Sequence, residues 1–278
     1  MTAKDALVAA AAELGEAGCP SPRVDAEWLL ADALGMSRTE LYADGTRELT
    51  PNVARAFRDA VARRAAREPL AYILGEWGFR RLSLCVDPRV LIPRPETEVL
   101  VERCLALLAD VATPRVLDVG VGSGAIALAI ADEHPGARVV ATESSGGALA
   151  VAEENRARTR LVDRVELVEG ELFAGVEGPF DLVVSNPPYV EPAEVAGLEP
   201  EVRLYEPQGA LVAAGVTEEI VDGAAALLRP GGVLAFEVAD GAARRVAGLL
   251  GARGYEEVTI TRDLAGRERI VDGRTAHR

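Results

Sequence analysis

Two consecutive prolines lie between an asparagine and a tyrosine in the segment Asn186-Pro187-Pro188-Tyr189, just after the apolar run at residues 182–184. Proline fixes the backbone and has no N–H. The segment can therefore present the carbonyl oxygens of Asn186 and Pro187, with the Asn186 side-chain oxygen, as hydrogen-bond acceptors. Such acceptors can hold both hydrogens of an NH2 group, and Tyr189 can stack on a flat substrate group. A rigid proline turn without a ligand is the alternative interpretation.

A glycine-rich loop lies upstream, at Gly120-Val121-Gly122-Ser123-Gly124, between an apolar run and a helical pattern. Glycine allows a sharp turn and a close approach of the backbone to a ligand. The helix N-terminus that follows favours an anionic group such as a methionyl carboxylate. The G-x-G-x-G spacing differs from the dinucleotide G-x-G-x-x-G pattern and favours S-adenosylmethionine over NAD. A tight turn without a ligand is the alternative for this loop.

Acidic residues end or follow the next two predicted strands. Glu143 stands about 20 residues after the glycines, where a carboxylate would accept hydrogen bonds from both ribose hydroxyls. Glu171 and Leu172 are candidates for an adenine pocket, in which Leu172 would cover the ring and Glu171 would reach the exocyclic amine. The alternatives are a solvated carboxylate at Glu143, and core packing of Leu172 with Phe173.

Together these residues suit a reaction on a nitrogen whose lone pair is delocalised, as in an amide or an aryl amine. Two acceptors that bind its hydrogens orient the lone pair at a sulfonium methyl group and stabilise the positive charge that develops. The methylated cation loses its proton readily, so no strong general base is needed. We therefore assign positioning and electrostatic roles to Asn186, Pro187 and Tyr189.

These candidates need a scaffold that brings them to one place. From about residue 96 onward, apolar strand patterns alternate with helical ones, and the predicted strands are residues 116–119, 139–142, 165–168, 181–184 and 232–236. Such alternation predicts an α/β fold with a doubly wound, mostly parallel sheet. Each motif falls at the carboxyl end of a strand, which is where ligands bind in such sheets.

We predict a small N-terminal helical bundle domain at residues 1–75, because no strand pattern interrupts the helical segments there. The helix starts carry N-cap residues, namely Thr2, Ser21, Ser37 and Thr50. Apolar residues at helical spacing follow the second start at Val24, Trp28, Ala31 and Leu34. Residues 76–95 predict a hairpin and connector, since apolar and polar residues alternate there. The α/β domain then takes residues 96–278.

Charge and composition narrow the function classes. The formal net charge of −14 favours a protein or small-molecule substrate, because nucleic-acid binding relies on Lys and Arg at phosphates. No apolar run is long enough to cross a bilayer, and the acidic start lacks the pattern of a signal peptide. We expect a cytoplasmic protein. Three scattered cysteines and two histidines predict neither a disulfide framework nor a metal site.

Further strings resemble one family. They are residues 69–76 (PLAYILGE), 91–98 (LIPRPETE), 205–207 with 210–211, and 262–269 (RDLAGRER). All are similar to motifs of the protein-(glutamine-N5) methyltransferases that modify peptide chain release factors, and residues 91–98 are the most specific part. The resemblance covers roughly residues 20–275. It implies a seven-stranded Rossmann-like methyltransferase sheet with an N-terminal helical domain.

The resemblance also implies an activity. A methyl group would pass from S-adenosylmethionine to the side-chain amide nitrogen (N5) of the glutamine in the Gly-Gly-Gln motif of bacterial class-1 release factors, leaving S-adenosylhomocysteine. Residues 186–189 would bind that glutamine, and residues 120–124 with Glu143, Leu172 and Asn186 would contact the cofactor. The helical domain would dock the release factor or only stabilise the fold. We expect a monomer that acts on protein, without direct nucleic-acid binding.

Some positions depart from the family pattern. Glu143 and Glu171 stand where Asp is more frequent, Arg80-Arg81 replaces an aromatic-glycine pair, and residues 240–242 lack a common glutamine. Two other functions are compatible with parts of the chain. A nucleic-acid adenine N6 methyltransferase shares the Asn-Pro-Pro-Tyr site, but the acidic charge and residues 91–98 argue against it. A non-catalytic binding module is disfavoured by the intact glycine loop.

Overall fold

The computed structural model describes residues 1–43, 45–212 and 215–277. The α-helices within these residues are α1 Ala3–Glu16, α2 Pro22–Leu34, α3 Arg38–Ala43, α4 Pro51–Ala65, α5 Leu70–Leu74, α6 Pro95–Leu107, α7 Ala125–Glu133, α8 Gly146–Arg158, α9 Pro200–Tyr205, α10 Gln208–Leu211, α11 Val216–Leu227 and α12 Ala243–Ala252. The strands are β1 Glu76–Phe79, β2 Leu82–Cys85, β3 Arg115–Val119, β4 Arg138–Glu143, β5 Val165–Glu169, β6 Phe180–Ser185, β7 Leu228–Glu237, β8 Glu256–Arg262 and β9 Glu268–Arg274.

The chain forms two compact units. One contains Met1–Glu76 and Gly197–Tyr205, and the other contains Trp77–Ala196 and Glu206–Arg278. The boundaries at 75 and 95 that the sequence predicts stay a prediction. No helix in the described part of the chain combines the length and apolarity that a membrane crossing requires.

The helical unit begins its helices at the residues that the sequence indicates. The Thr2 hydroxyl accepts a hydrogen bond from the Asp5 amide at 3.2 Å, and the Asp5 carboxylate accepts one from the Thr2 amide at 3.2 Å, which makes a capping box. Ser37 and Thr50 accept hydrogen bonds in the same way at α3 and α4. Ser21 occupies the cap position of α2, but its side chain makes no capping bond.

The buried face of α2 includes only two of its four regularly spaced apolar residues, Ala31 and Leu34. Val24 and Trp28 are both 41% exposed, whereas Leu29 and Leu30 are buried in the core of the helical unit. The guanidinium of Arg38 lies 5.3 Å from the centre of the Trp28 ring, so a cation–π contact covers part of this exposed aromatic. The apolar spacing predicted the helix correctly, although it does not by itself show which of these residues are buried.

A buried ion network joins the segment Gly197–Tyr205 to the helical unit. Arg64, only 4% exposed, contacts Asp25 through Nε at 2.8 Å and Glu201 through Nη1 at 2.9 Å. Arg67 binds the other Glu201 oxygen at 2.6 Å. Because an unpaired buried charge is costly, Glu201 holds this distant segment of the chain in the helical unit.

The second unit is built on a seven-stranded sheet with the order β5-β4-β3-β6-β7-β9-β8. The first five strands are parallel, and β9 is antiparallel to both its neighbours. Apolar residues of α6 and α7 cover one face, and those of α11 and α12 cover the other. This confirms the predicted α/β fold with a doubly wound, mostly parallel sheet of seven strands. Residue patterns alone had identified only five of them.

The short hairpin of β1 and β2 turns at Arg80-Arg81, where the family pattern has an aromatic-glycine pair. Arg80 adopts a φ of +50°, a left-handed conformation that favours glycine. Its guanidinium pairs with Glu133, and its amide donates to the Glu98 carboxylate at 2.8 Å. These bonds from α6 and α7 offset the backbone strain at the turn.

Asp118 is a fully buried acid near the end of the central strand β3. Its Oδ2 accepts a hydrogen bond from the Ala127 amide at 3.0 Å, in the first turn of α7, whereas Oδ1 has no partner among the described residues. Burial, with a smaller contribution from the charge of Glu143, raises the pKa of Asp118 to about 8. At a pH between the ordinary pKa of an aspartic acid and about 8, the folded protein therefore holds a proton that the unfolded chain releases.

Replacing Glu201 by alanine should destabilise the protein, because Arg64 would keep its burial and lose one of its two carboxylate partners. We expect a loss of about 3 kcal/mol in the free energy of unfolding, measured by urea denaturation. Glu199→Ala is the matched control, since the Glu199 side chain is 71% exposed and its ion pair with Arg67 is worth less than about 1 kcal/mol. Equal effects of the two variants would contradict the structural role of Glu201.

Asp118→Asn should stabilise the protein increasingly as the pH rises. The raised pKa of Asp118 means that its contribution to stability is complete below the ordinary pKa of an aspartic acid and falls as the pH approaches about 8. Asparagine is neutral and has no such dependence. We expect the stability difference between variant and wild type to shift in favour of the variant from pH 5 to pH 8 in urea titrations. A difference independent of pH would refute the buried proton.

Candidate active site

A cavity of about 470 Å³ lies at the carboxyl ends of the parallel strands. Its volume falls within the range of roughly 300–1,000 Å³ of small-molecule sites. The cavity brings together most of the residues that the sequence singled out: Gly120, Val121, Gly122, Ser123, Glu143, Glu171, Leu172, Asn186, Pro187 and Pro188. Gly124 and Tyr189 do not line it. It also includes residues 89–94 and Thr97, which belong largely to the string 91–98.

The glycine loop turns sharply between β3 and α7. The amides of Gly120 and Val121 both donate to the Thr142 carbonyl, at 3.0 and 2.9 Å. Gly120 and Gly122 have positive φ angles of 80° and 54°, and a Cβ on either would meet no protein atom within 4 Å. Such a Cβ would instead occupy open space beside the cavity. The loop therefore offers bare backbone to a ligand, as its glycines predict.

Glu143 ends β4 with its carboxylate held by two amides. Oε2 accepts from the Gly122 amide and Oε1 from the Ser145 amide, both at 2.9 Å. Ser145 also caps α8 through a hydrogen bond from Ala148. A carboxylate oxygen has two lone pairs, so each oxygen keeps one for a ligand that enters the cavity. The position is thus fixed, and Glu143 is more than a freely solvated strand-end acid.

The residues after β5 divide between the cavity and the core. Leu172 lines the cavity with a φ of +51°, and the Thr142 hydroxyl donates to its carbonyl at 2.7 Å. Strained backbone of this kind persists where surrounding bonds hold it. Glu171 is exposed and also lines the cavity. Phe173 packs tightly against Gly223 of α11, and both Leu172 and Phe173 pack against the core on this face of the sheet.

The Asn-Pro-Pro-Tyr segment lies between two cavities, and Pro188 lines both of them. Asn186, Pro187 and Pro188 line the first, while Pro188 and Tyr189 line a second cavity of about 410 Å³. Asn186 Nδ2 donates to Thr97 Oγ1 at 3.2 Å. Within the described residues no group donates to Asn186 Oδ1 or to the Pro187 carbonyl. They are two of the three oxygens that the sequence analysis proposed as acceptors, the third being the Asn186 main-chain carbonyl, and their role stays a prediction.

Behind the segment lies a buried polar chain that sequence reasoning missed. Thr97 Oγ1 donates to Glu237 Oε2 at 2.6 Å, and Arg269 Nη2 lies 3.6 Å from Glu237 Oε1. The same Arg269 nitrogen donates to the Tyr189 hydroxyl at 3.4 Å, and the guanidinium carbon lies 5.7 Å from the Tyr189 ring centre. Burial raises the pKa of Glu237 and that of Tyr189.

Other contacts link the family-like strings to one another. Arg94 Nη2 contacts both oxygens of Glu206, at 2.7 and 2.6 Å, and Arg267 binds Glu96 at 2.6 Å. The partners are 112 and 171 positions apart, so no local spacing could reveal the pairs. Membership in the similar strings was the only available signal for these residues.

Two family models match the chain. The model described as PrmC N-terminal domain matches residues 5–75. The model described as Methyltransferase small domain matches residues 96–199. The two matches coincide with the helical segments before β1 and with the first strands of the parallel sheet.

Solved structures share the fold. The T. thermophilus 16S rRNA N2 G1207 methyltransferase in complex with AdoMet and guanosine aligns with a TM-score of 0.53 and 20% identity, over 72% of this chain and 49% of that chain. The hMettl16 catalytic domain in complex with a MAT2A 3'UTR hairpin aligns with a TM-score of 0.59 and 19% identity, over 79% and 82%. At such identity the likeness concerns the fold alone and gives the nucleic-acid alternative no support.

Curated relatives are far more similar in sequence. The release factor glutamine methyltransferase of Deinococcus radiodurans is 45% identical over 99% of this chain and 99% of the relative. That of Geobacter sulfurreducens is 44% identical over 94% and 92%. With these relatives, and with the site that its strand ends assemble, the chain belongs to the release factor glutamine methyltransferase family.

Proposed function

We propose that the protein transfers a methyl group from S-adenosylmethionine to the N5 amide nitrogen of the glutamine in the Gly-Gly-Gln motif of peptide chain release factors. One observation carries the proposal beyond family membership. The Oδ1 of Asn186 and the Pro187 carbonyl have no donor within the described residues, and both residues line a cavity. Two acceptors on adjacent residues, neither with a donor in the described part of the chain, can accept the two hydrogens of a primary amide.

The residues of the first cavity fit S-adenosylmethionine. Bare backbone at Gly120 and Gly122 leaves room for its methionyl part, and the N-terminus of α7 favours the carboxylate. Each Glu143 oxygen has a lone pair for a ribose hydroxyl, and Leu172 covers the adenine, with Glu171 near its amine. When bound, the cofactor supplies an electrophilic methyl carbon and leaves as S-adenosylhomocysteine.

Asn186 and Pro187 then hold the substrate amide. Their oxygens accept its two hydrogens, so the nitrogen lone pair is turned toward the methyl carbon, and they stabilise the positive charge that moves onto nitrogen. The methylated nitrogen afterwards releases one proton to solvent. Tyr189, in the neighbouring cavity, contacts the glutamine side chain. Burial raises the pKa of Tyr189, so its phenol stays protonated and is not a base.

The helical unit provides further contacts with the release factor in this proposal. The net charge of −14 suits a protein partner better than a phosphate backbone. The proposal accordingly takes the substrate to be a bacterial class-1 release factor, with no direct nucleic-acid contact. It takes the enzyme to be a cytoplasmic monomer.

The proposed reaction can be tested with labelled S-adenosylmethionine and two release-factor substrates. One carries the intact Gly-Gly-Gln motif, and the other has its glutamine changed to alanine. We expect label only on the intact protein, because alanine has no amide nitrogen at this position. Label on both proteins, or on neither, would contradict the glutamine assignment.

Asn186→Ala should abolish transfer and weaken cofactor binding only modestly. Loss of one preorganised acceptor should lower kcat on the order of 10²- to 10³-fold, while the glycine loop and Glu143 remain in place. Single-turnover rates measure the first effect and calorimetry with S-adenosylmethionine the second. Val162→Ala, at an exposed position, is the control and should match the wild type. Turnover in Asn186→Ala at the rate of the wild type would refute the acceptor role.

A further inference from the structure

Thr97 lies between two partners in the interior of the α/β unit. Its hydroxyl oxygen is 2.6 Å from Glu237 Oε2 and 3.2 Å from Asn186 Nδ2. Thr97 is 4% exposed and Glu237 is fully buried, so the bond between them is shielded from water, whereas Asn186 is half-buried. The three residues come from α6, from the end of β7 and from the segment after β6.

The direction of each hydrogen bond follows from the chemistry of the groups. An ionised carboxylate can only accept, so Thr97 must give its single hydrogen to Glu237. The Thr97 oxygen can then only accept from Asn186. A carboxamide has an NH2 end and an oxygen end, and the NH2 end must therefore face Thr97. The oxygen end is turned the other way.

We propose that Thr97 and Glu237 are positioning residues that fix the polarity of the Asn186 carboxamide, so that its oxygen and not its NH2 group meets the substrate amide. The inference rests on the proposed function, since only an NH2-bearing substrate requires an acceptor here. With the carboxamide reversed, two NH2 groups would face each other and the substrate would lose one of its two acceptors. Neither positioning residue needs to touch the substrate.

The charge of Glu237 controls this arrangement. Its carboxylate faces Arg269 from β9, and Arg94 also favours the charged form, whereas Glu96 opposes it. The other titratable groups that line the same second cavity are Tyr189, Glu191, Glu194, Glu218 and Arg245. A protonated Glu237 could donate to Thr97, which would free the Thr97 hydrogen for Asn186 Oδ1 and reverse the carboxamide. Burial raises the pKa of Glu237, so transfer should increase as the pH rises through that pKa.

Three variants test the chain of bonds by single-turnover methyl transfer to the intact release factor. Thr97→Val keeps the shape and removes the hydroxyl, and we expect kcat to fall on the order of 10- to 100-fold with little change in affinity for S-adenosylmethionine. Thr97→Ser should restore most of the rate. Glu237→Gln should lower the rate and remove the acid limb of the pH profile that Glu237 causes, because a glutamine does not titrate.

Asp118, with a pKa of about 8, is present in the wild type and in all three variants. Any change in rate with pH that Asp118 causes therefore remains in every pH profile. Wild-type turnover in Thr97→Val, or an unchanged acid limb in Glu237→Gln, would overturn the inference. Calorimetry with S-adenosylmethionine shows that a variant is folded, and Thr97→Ser provides a conservative second variant.

A second measurement does not need turnover. In protein labelled with ¹⁵N-asparagine, the side-chain NH2 resonances of Asn186, assigned by their loss in Asn186→Ala, should shift with pH in the wild type. In Thr97→Val and in Glu237→Gln this pH dependence should disappear. Resonances that do not respond to pH in the wild type would refute the inference even if methyl transfer to glutamine is confirmed. The expected shifts would support it even if the proposed substrate is wrong.

Discussion

The parallel pairing of the central strand β3 with β4 on one side and β6 on the other is the constraint on which the site depends. Asp118 stands opposite both Ala141 and Val184, so the three strands end at one edge. The Ser185 hydroxyl donates to the Val119 carbonyl at 2.7 Å and ties two of these ends together. The glycine loop, Glu143 and the Asn-Pro-Pro-Tyr segment meet because each follows one of these strands.

The alternation of strands and helices and the glycine loop could be predicted from sequence because their signals are local. Apolar runs, glycine spacing and capping pairs such as Thr2 with Asp5 involve neighbouring residues. The strands β8 and β9 were implied only by family resemblance, because β8 has mostly exposed or half-buried residues and lacks an apolar run. The exposure of Trp28 could not be predicted from its helical spacing, because its cation–π partner, Arg38, belongs to another helix. Thr97 and Arg269 lie in strings that resemble the family, but their contacts with Glu237 could not be predicted, since only the folded sheet brings the three residues together.

Acidic side chains surround the proposed reaction, from the exposed Glu171 to the fully buried Glu237. Glu143 and Glu171 line the first cavity, and Glu237 lies at the second. The arginines that line the two cavities, Arg89, Arg94 and Arg245, are paired with carboxylates, and Arg269 faces Glu237. A methyl transfer from sulfonium to amide conserves positive charge and only moves it from sulfur to nitrogen. A surrounding field of negative sign is therefore favourable before and during the transfer, and the enzyme does not need to reorganise around a newly created charge.

The contribution of Gly197–Tyr205 to the helical unit affects the folding of the chain during synthesis as well as the stability of the folded unit. Domains commonly fold in order as they leave the ribosome. Here the first five helices emerge early, yet the carboxylate that completes the Arg64 network belongs to Glu201. In the nascent helical unit, the Arg64 guanidinium lacks its Glu201 partner until β1 through β6 have been synthesised. Both units therefore reach their final stability late, and within a short interval of each other.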